Sequence, residues 1–368
     1  MPYHITRLHP AELHEALEFY NFHYQSSRSP ETFAAEFLRG PAGPAIYIIA
    51  RHGEAGPIVG LHSAIPLWFS NSEGKDFLTG KLEDNLIHPE HRGKGLFELM
   101  HQQLLTACAE KGISALWALT YALKAFGAIG LVPVSRVKQG IYCISQTETI
   151  KALLALNAEN SAMKRAKIAG LALAAKVSSL ALYRAPSGIA PFTVEQDEAF
   201  DPGELINRSL KGGPYSWLRH DASALHWRMQ TLTGNAVFKS YILRNADGMA
   251  MGYMVTEMHR GFAFIAEMYF DASLYSDWKK AFTRHVIEQL EKKGAGLIRF
   301  WAWQGGNNKM LSWQQQDLAA LGFLFPNKGI SFVWKTLQPI EINKSEADAQ
   351  SKAGGEQVLL SRLYTQGG

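Results

Sequence analysis

The chain has 368 residues, of which 47% are hydrophobic, 19% charged and 11% aromatic, which excludes a wholly disordered protein and is enough for two domains. Its two cysteines, Cys108 and Cys143, cannot build a disulfide scaffold, and neither sits in a spacing that holds zinc. The formal net charge is only +4. Within residues 151–191, however, Lys151, Lys164, Arg165, Lys167, Lys176 and Arg184 face Glu159 alone, so the whole positive excess lies in one segment and a general nucleic-acid binder is not expected.

The first 145 residues read as a mixed α/β unit. A helical stretch opens at His9-Pro10-Ala11-Glu12-Leu13 and reaches about Phe22. Ala45–Ala50 reads as a buried strand and Ile58–Ile65 as its hairpin partner across a glycine-containing turn. A third strand fits Lys81–His88 and stops at Pro89. Leu96, Leu99, Met100, Leu104 and Ala107 then recur at helical spacing up to Gly112. Ser114–Thr120 is strand-like, a short helix follows to Gly130, and Val132–Ser145 is strand-rich.

Residues 146–192 are dominated by leucine and alanine and read most simply as one long basic helix ended by Pro186 and Gly188. Its uncharged runs are too short for a span of ~20 apolar residues. It is read as an inter-domain helix packed on the body of the protein, and alternatively, over 164–184, as a basic helix making peripheral contact with an anionic membrane face. From about residue 193 the pattern restarts. Ser29–Gly60 has a counterpart in Asp221–Gly252, and Ala109-Glu110-Lys111-Gly112 one in Glu291-Lys292-Lys293-Gly294, as expected for a degenerate duplication. The expected division is 1–145, a helical linker at 146–192, a second unit at 193–338 and a tail at 339–368. The tail is read as flexible over 343–357, with Val358–Tyr364 able to dock. The absence of a basic n-region and apolar h-region at Met1-Pro2-Tyr3-His4 points to the cytoplasm, with the inner face of a membrane as the peripheral alternative.

The chemically informative run is Leu86-Ile87-His88-Pro89-Glu90-His91-Arg92-Gly93-Lys94-Gly95-Leu96-Phe97, where a strand enters, two glycines flank a lysine and an amphipathic helix leaves. Backbone N–H groups in such a turn, backed by a helix N-terminus, form an anion site, and Arg92 and Lys94 add charge to it. Neither GxxxxGK[ST] nor GxGxxG is present. His88 and His91 are three apart with no third ligand at useful spacing, so no metal is expected.

This run, between strand and helix, resembles motif A of the GNAT superfamily of N-acetyltransferases, [Q/R]-x-x-G-x-[G/A], with Arg92, Gly93, Lys94, Gly95 and Leu96 fitting its first five positions and Phe97 departing at the sixth. Leu82–Ile87 resembles the family's fourth strand, and Ala125–Leu131 the end of its motif B. The second half is similar to a GNAT repeat that has lost the loop, since Asp271–Trp278 stands where the glycines belong. The resemblance implies an α/β fold of two GNAT-like domains, each a mixed, mostly antiparallel twisted sheet flanked by helices. It also implies acetyl-CoA as donor, its pyrophosphate on the amides of Arg92 to Phe97 and its pantetheine arm on the strand edge at Leu86 and Ile87. An amine acceptor must lose a proton before attack. Glu83 or Asp84 is the candidate base; strand alternation puts the two on opposite faces, and Glu83 shares a face with Ile87. The tyrosine the family often uses as acid is replaced by Phe126, which leaves Tyr121 as the nearest substitute, and Leu119-Thr120 stands in place of the usual asparagine.

The leading expectation is an acetyl-CoA-dependent N-acyltransferase acting on a small amine or amino sugar. The alternatives are a decayed GNAT pair serving as a binding or scaffold protein, and an acyltransferase with another donor or an O-acceptor. Trp217, Trp227, Trp301, Trp303 and Trp313 are read as core or as the lining of an acceptor site, and Gln304–Asn308 as an acceptor-contacting loop. The acceptor's identity and the oligomeric state are not written in the sequence.

Overall fold

The computed structural model describes residues 3–338 and 357–359, apart from 72, 156–160, 185, 187, 198–199, 211–214, 220, 232–236, 260, 272, 305–315, 317 and 328. The first half runs β1 (Tyr3–Arg7), α1 (Leu13–Tyr24), α2 (Pro30–Phe33), β2 (Ile46–His52), β3 (Ile58–Ser70), β4 (Asp76–Ile87), α3 (Leu96–Glu110), β5 (Ala115–Thr120), α4 (Leu123–Ala128) and β6 (Val132–Cys143). The expected long helix at 146–192 is instead two helices, α5 (Gln146–Ala155) and α6 (Ala162–Ser179). The second starts afresh because the Ser161 hydroxyl accepts the Lys164 N–H at 3.3 Å, an N-cap that the leucine-alanine composition conceals.

The second half follows the first in order, except that β8 is inserted and no named helix among the described residues matches α4: β7 (Thr193–Gln196), α7 (Gly203–Leu210), β8 (Tyr215–Leu218), α8 (Ala222–Thr231), β9 (Val237–Arg244), β10 (Ala250–His259), β11 (Phe262–Phe270), α9 (Ser276–Lys292), β12 (Leu297–Gln304) and β13 (Ile330–Thr336). The proposed alignment of Gly60 with Gly252 places β3 on β10, and that of Gly112 with Gly294 places the end of α3 on the end of α9. In the tail, β14 (Gln357–Leu359) lies parallel to β8, overlapping the stretch expected to dock at Val358 and Leu359 and taking in Gln357 from the stretch expected to be flexible.

The two halves share one sheet, in the order β1-β2-β3-β4-β5-β13-β6-β12-β11-β10-β9-β7. Its centre is a reciprocal exchange. The last strand of the second half, β13, pairs antiparallel with β5, and the last strand of the first half, β6, pairs antiparallel with β12, while β6 and β13 pair with each other. Strands this deep in a sheet are covered on both faces, which is why β3 reads as a nearly unbroken apolar run. On one face a single core joins both halves, with Leu17 and Tyr20 of α1 and Phe33 of α2 continuous with Leu205 of α7 and Leu225 of α8. On the other face the cores are separate: Met100 and Leu104 of α3 seal one, and Phe282 and Val286 of α9 the other. Trp217 and Trp227 are buried in the shared core, the Trp227 indole donating to the Ala35 carbonyl at 2.8 Å. Trp313 and residues 305–308 of the expected acceptor loop lie outside the described residues.

Candidate active site

Strand β4 has a neighbour on one edge only for part of its length. Its parallel ladder with β5 covers Thr79–Lys81 against Ala115–Trp117, after which β5 leaves to follow β13. From Leu82 to Ile87 the edge facing β5 is open. A parallel pair that diverges in mid-sheet exposes backbone groups to which an extended chain or ligand can pair. On the opposite edge the His88 N–H donates to the Val59 carbonyl at 2.9 Å. Antiparallel alternation therefore turns the Leu86 peptide groups toward β3 and those of Ile87 toward the opening. Of the two residues expected to meet an extended ligand, Ile87 presents its backbone and Leu86 its side chain.

The opening continues into a cavity of about 710 Å³ lined by His23 and Tyr24 of α1, Asn85–Ile87 of β4, the Arg92–Glu98 turn apart from Lys94, and Ala122, Ala125 and Phe126 next to β5. In the turn, Gly93 and Gly95 have φ of +71° and +75°, and a Cβ built on either meets nothing within 4 Å, so both face open space. Gly95 is the N-cap of α3 and offers no side-chain acceptor, so the first N–H groups of a 15-residue helix end at the cavity without a cap. Arg92 lines the cavity and donates from Nε to the Ile87 carbonyl at 2.9 Å, pinning the turn to the open strand. Phe97 meets Phe126 edge-on, with ring centroids 5.9 Å apart, and closes the wall between α3 and α4. Backbone donors, an uncapped helix start and an arginine thus converge on one hollow beside an open strand edge. That combination suits an elongated molecule carrying an anion at one end.

The two carboxylates do not alternate as expected. A bulge shifts the β3–β4 register between Leu61 and Ser63, and Asp84 takes a φ of +49°. The extra residue turns Asp84 onto the face that carries Glu83, toward α1. Asp84, its side chain 3% exposed, accepts from Arg28 Nη1 at 2.6 Å and from the Tyr47 hydroxyl at 2.7 Å. Burial raises its carboxyl to about 6, against the pull of those two partners. The Arg28 guanidinium stacks 3.8 Å from the Tyr20 ring centroid and also faces Glu36, which Arg228 of the second half reaches at 3.4 Å. Glu83, at 17%, is the more accessible carboxylate and pairs with the buried ammonium of Lys81. Tyr121 is 80% exposed at the end of β5 and is not among the residues lining the cavity. Tyr24, which sequence spacing did not single out, does line it. Burial and the nearby carboxylates of Asp84 and Glu83 hold its phenol above the ordinary range, so it stays protonated. Nothing in the periodicity of α1 separates Tyr24 from its neighbours; only the C-terminal end of the helix, beside the open strand, brings it in.

The second half keeps the splay and loses the cradle. β11 and β12 pair in parallel over Phe262–Ile265 and Leu297–Phe300 and then diverge. At the helix entrance the Asp271 carboxylate accepts from the Ser273 N–H at 2.9 Å and from Arg208 Nε at 2.9 Å. The Asp271 carboxylate thus sits just after β11, on the way into α9, in a segment with no glycine to match Gly93 and Gly95. Among the described residues, no group of three or more His, Cys, Asp or Glu side chains is arranged to hold a metal ion.

Residues 4–128 match the family model described as "Acetyltransferase (GNAT) domain". A search of curated proteins gave no match. Solved structures share the fold at low identity. A probable N-acyltransferase from Enterococcus faecalis V583 is 11% identical, with a TM-score of 0.62 over 92% of this chain and 73% of that one. A tandem GNAT protein from the clavulanic acid biosynthesis pathway is 12% identical, with a TM-score of 0.56 over 92% of this chain and all 100% of that one. N-myristoyltransferase of Saccharomyces cerevisiae with bound myristoyl-CoA is 12% identical, with a TM-score of 0.54 over 98% of this chain and 90% of that one.

Proposed function

We propose that this chain, whose residues 4–128 are a GNAT acetyltransferase domain and whose two halves share the fold of a tandem GNAT protein, transfers an acetyl group from acetyl-CoA to the nitrogen of a small amine or amino sugar. One observation carries the reading: the open edge of β4 and the uncapped start of α3 border the same cavity. The amides of Gly93–Phe97 and the Arg92 side chain would hold the pyrophosphate. The Ile87 backbone would take the extended arm, and a main-chain N–H on the open edge would stabilise the thioester oxyanion. Glu83 is the base that takes the proton of the incoming ammonium, from the α1 side of the sheet. The neutral nitrogen attacks the thioester carbonyl, the C–S bond breaks and the departing thiolate takes the Tyr24 phenolic proton, while the second proton of the attacking nitrogen returns to the Tyr24 phenolate and leaves a neutral amide. Asp84, locked between Arg28 and Tyr47, shapes the bulge rather than meeting the acceptor.

The donor is tested by calorimetric titration of acetyl-CoA and myristoyl-CoA, and the acceptor by thiol release across an amine panel. Micromolar binding of acetyl-CoA supports the reading; no binding overturns it. The proposed location is the cytoplasm, with contact at an anionic membrane face. The α6 segment supports that contact, since Met163 is exposed near Arg165 and Lys167 at its start and Leu173 and Val177 are exposed farther along it. Among the described residues no helix is long and apolar enough to cross a membrane. Lys164→Glu, Arg165→Glu and Lys167→Glu together should abolish sedimentation with anionic vesicles; unchanged sedimentation discards the idea.

A further inference from the structure

Four polar side chains form a line from the exchanged strand β13 to the cavity. Lys335 of β13 donates to the Ile129 carbonyl at 2.8 Å, and its Nζ lies 3.4 Å from Nε2 of His101 on α3. His101 Nδ1 lies 3.1 Å from Nε2 of His62 on β3, and His62 Nδ1 lies 2.5 Å from Oδ1 of Asn85 on β4. Both histidines are buried, and burial lowers the imidazoles to about 4 for His62 and about 3 for His101, so at neutral pH each is uncharged and carries one ring proton.

The direction of the line follows from its charged end. An ammonium has donors and no acceptor, so His101 Nε2 must accept and the His101 proton sits on Nδ1. That proton is given to His62 Nε2, which leaves the His62 proton on Nδ1, facing Asn85 Oδ1. The Asn85 oxygen is therefore engaged and its Nδ2 turned away from His62. Asn85 lines the cavity beside the open edge of β4, and no hydrogen bond joins its Nδ2 to another described residue.

We infer that Lys335, His101 and His62 are positioning residues that hold the Asn85 amide as a fixed donor to a carbonyl oxygen of the pantetheine arm of acyl-CoA. The inference rests on the acyl-CoA reading above. Asn85 lies two residues before Ile87, about 7 Å farther along the strand from the glycine turn, where an arm leaving the anion site would pass. A donor oriented by a buried line needs no rearrangement when the ligand arrives. Because Lys335 belongs to the second half and the other three to the first, the half without an anion cradle would contribute to the ligand site through this line.

The test compares CoA with adenosine 3′,5′-bisphosphate, which has the anionic end and no arm. Asn85→Asp, nearly the same size but without the donor, should weaken CoA about tenfold and leave the bisphosphate within twofold. Lys335→Met should weaken CoA severalfold, and Lys335→Arg, which keeps a donor-only cation, should restore it. Nitrogen-15 spectra of the histidines should show both protons on Nδ1 in the wild type, and Lys335→Met should lose that state at His101. If CoA binds the wild type and Asn85→Asp equally, or if the wild-type protons sit on Nε2, the inference is wrong and the acyl-CoA reading stands. If neither CoA nor the bisphosphate binds the wild type, both fail.

Discussion

Substituting Gly95 separates the anion cradle from the stability of the fold. Gly95 has a φ of +75°, and an added Cβ meets nothing within 4 Å, so Gly95→Ala and Gly95→Glu carry the same backbone penalty, about 1–2 kcal/mol, and no steric clash. The glutamate also brings a carboxylate to the mouth of the uncapped helix. At ~5 Å from a phosphate and an effective dielectric of ~20, one pair of unit charges repels by about 3 kcal/mol, on the order of 100-fold in affinity. Thermal unfolding without ligand should therefore fall for both variants, and slightly less for Gly95→Glu, whose carboxylate meets the free N–H groups of α3. Calorimetry with acetyl-CoA should show Gly95→Glu about 100-fold weaker than wild type and Gly95→Ala within tenfold of it. The contrast should shrink with added salt, because the mouth of the helix is open to solvent. If Gly95→Glu binds as tightly as Gly95→Ala, the phosphates do not sit on this turn and the placement of the donor is refuted.

Glu83→Gln should lower acyl transfer by about 100-fold or more with acetyl-CoA affinity unchanged; a turnover near wild type, read by thiol release, would remove Glu83 from the chemistry. The carboxyl of Asp84 is raised to about 6 from an ordinary 3.8, so the folded protein holds a proton there that the unfolded chain has lost between about pH 4 and pH 6. The contribution of this group to stability is thus full below pH 4 and lost as the pH rises through 6, and Asp84→Asn should flatten that slope; urea unfolding at several pH values, taken as wild type minus variant, should show a difference that falls over this range, and one that stays constant or rises with pH refutes the shift. Val333 lies 0% exposed in the middle of β13, so Val333→Asp should cost several kcal/mol and unfold both halves in one transition by circular dichroism, whereas separate melting of the second half would contradict the shared sheet.

How far the sequence reveals this molecule depends on the range over which each feature is determined. The strands, α3 and the glycine turn follow from local signals: alternation, helical spacing and two residues able to hold positive φ. The loss of the second cradle is equally local, because Asp271–Trp278 contains no glycine. The bulge at Asp84 is not local. It is fixed by Arg28 and Tyr47, both far away in the chain, and it overrides the period-two rule that would separate Glu83 from Asp84. Tyr24 and Asn85 escape notice for the same reason, since each is brought to the cavity by the divergence of β4 from β5. The exchange of β6 and β13 is invisible to any reading in chain order, because either strand would satisfy the same apolar pattern in its own half.

The exchange also accounts for why a half without an anion cradle is structurally indispensable. Without β13, β5 would lose its antiparallel neighbour along Ala115–Thr120, and the inner edge of β6 would be bare. Beside the opening, β5 is held on its far side by β13, so the strand that borders the ligand's way in is anchored by one encoded more than 200 residues later. Arg228 and Trp227 secure the same dependence on the other face, reaching Glu36 and the Ala35 carbonyl next to the segment that carries Arg28. A second half that had lost its own cradle would therefore still be retained for the first half's site, and substitutions in β13 should alter ligand binding in the first half even where they do not touch the cavity.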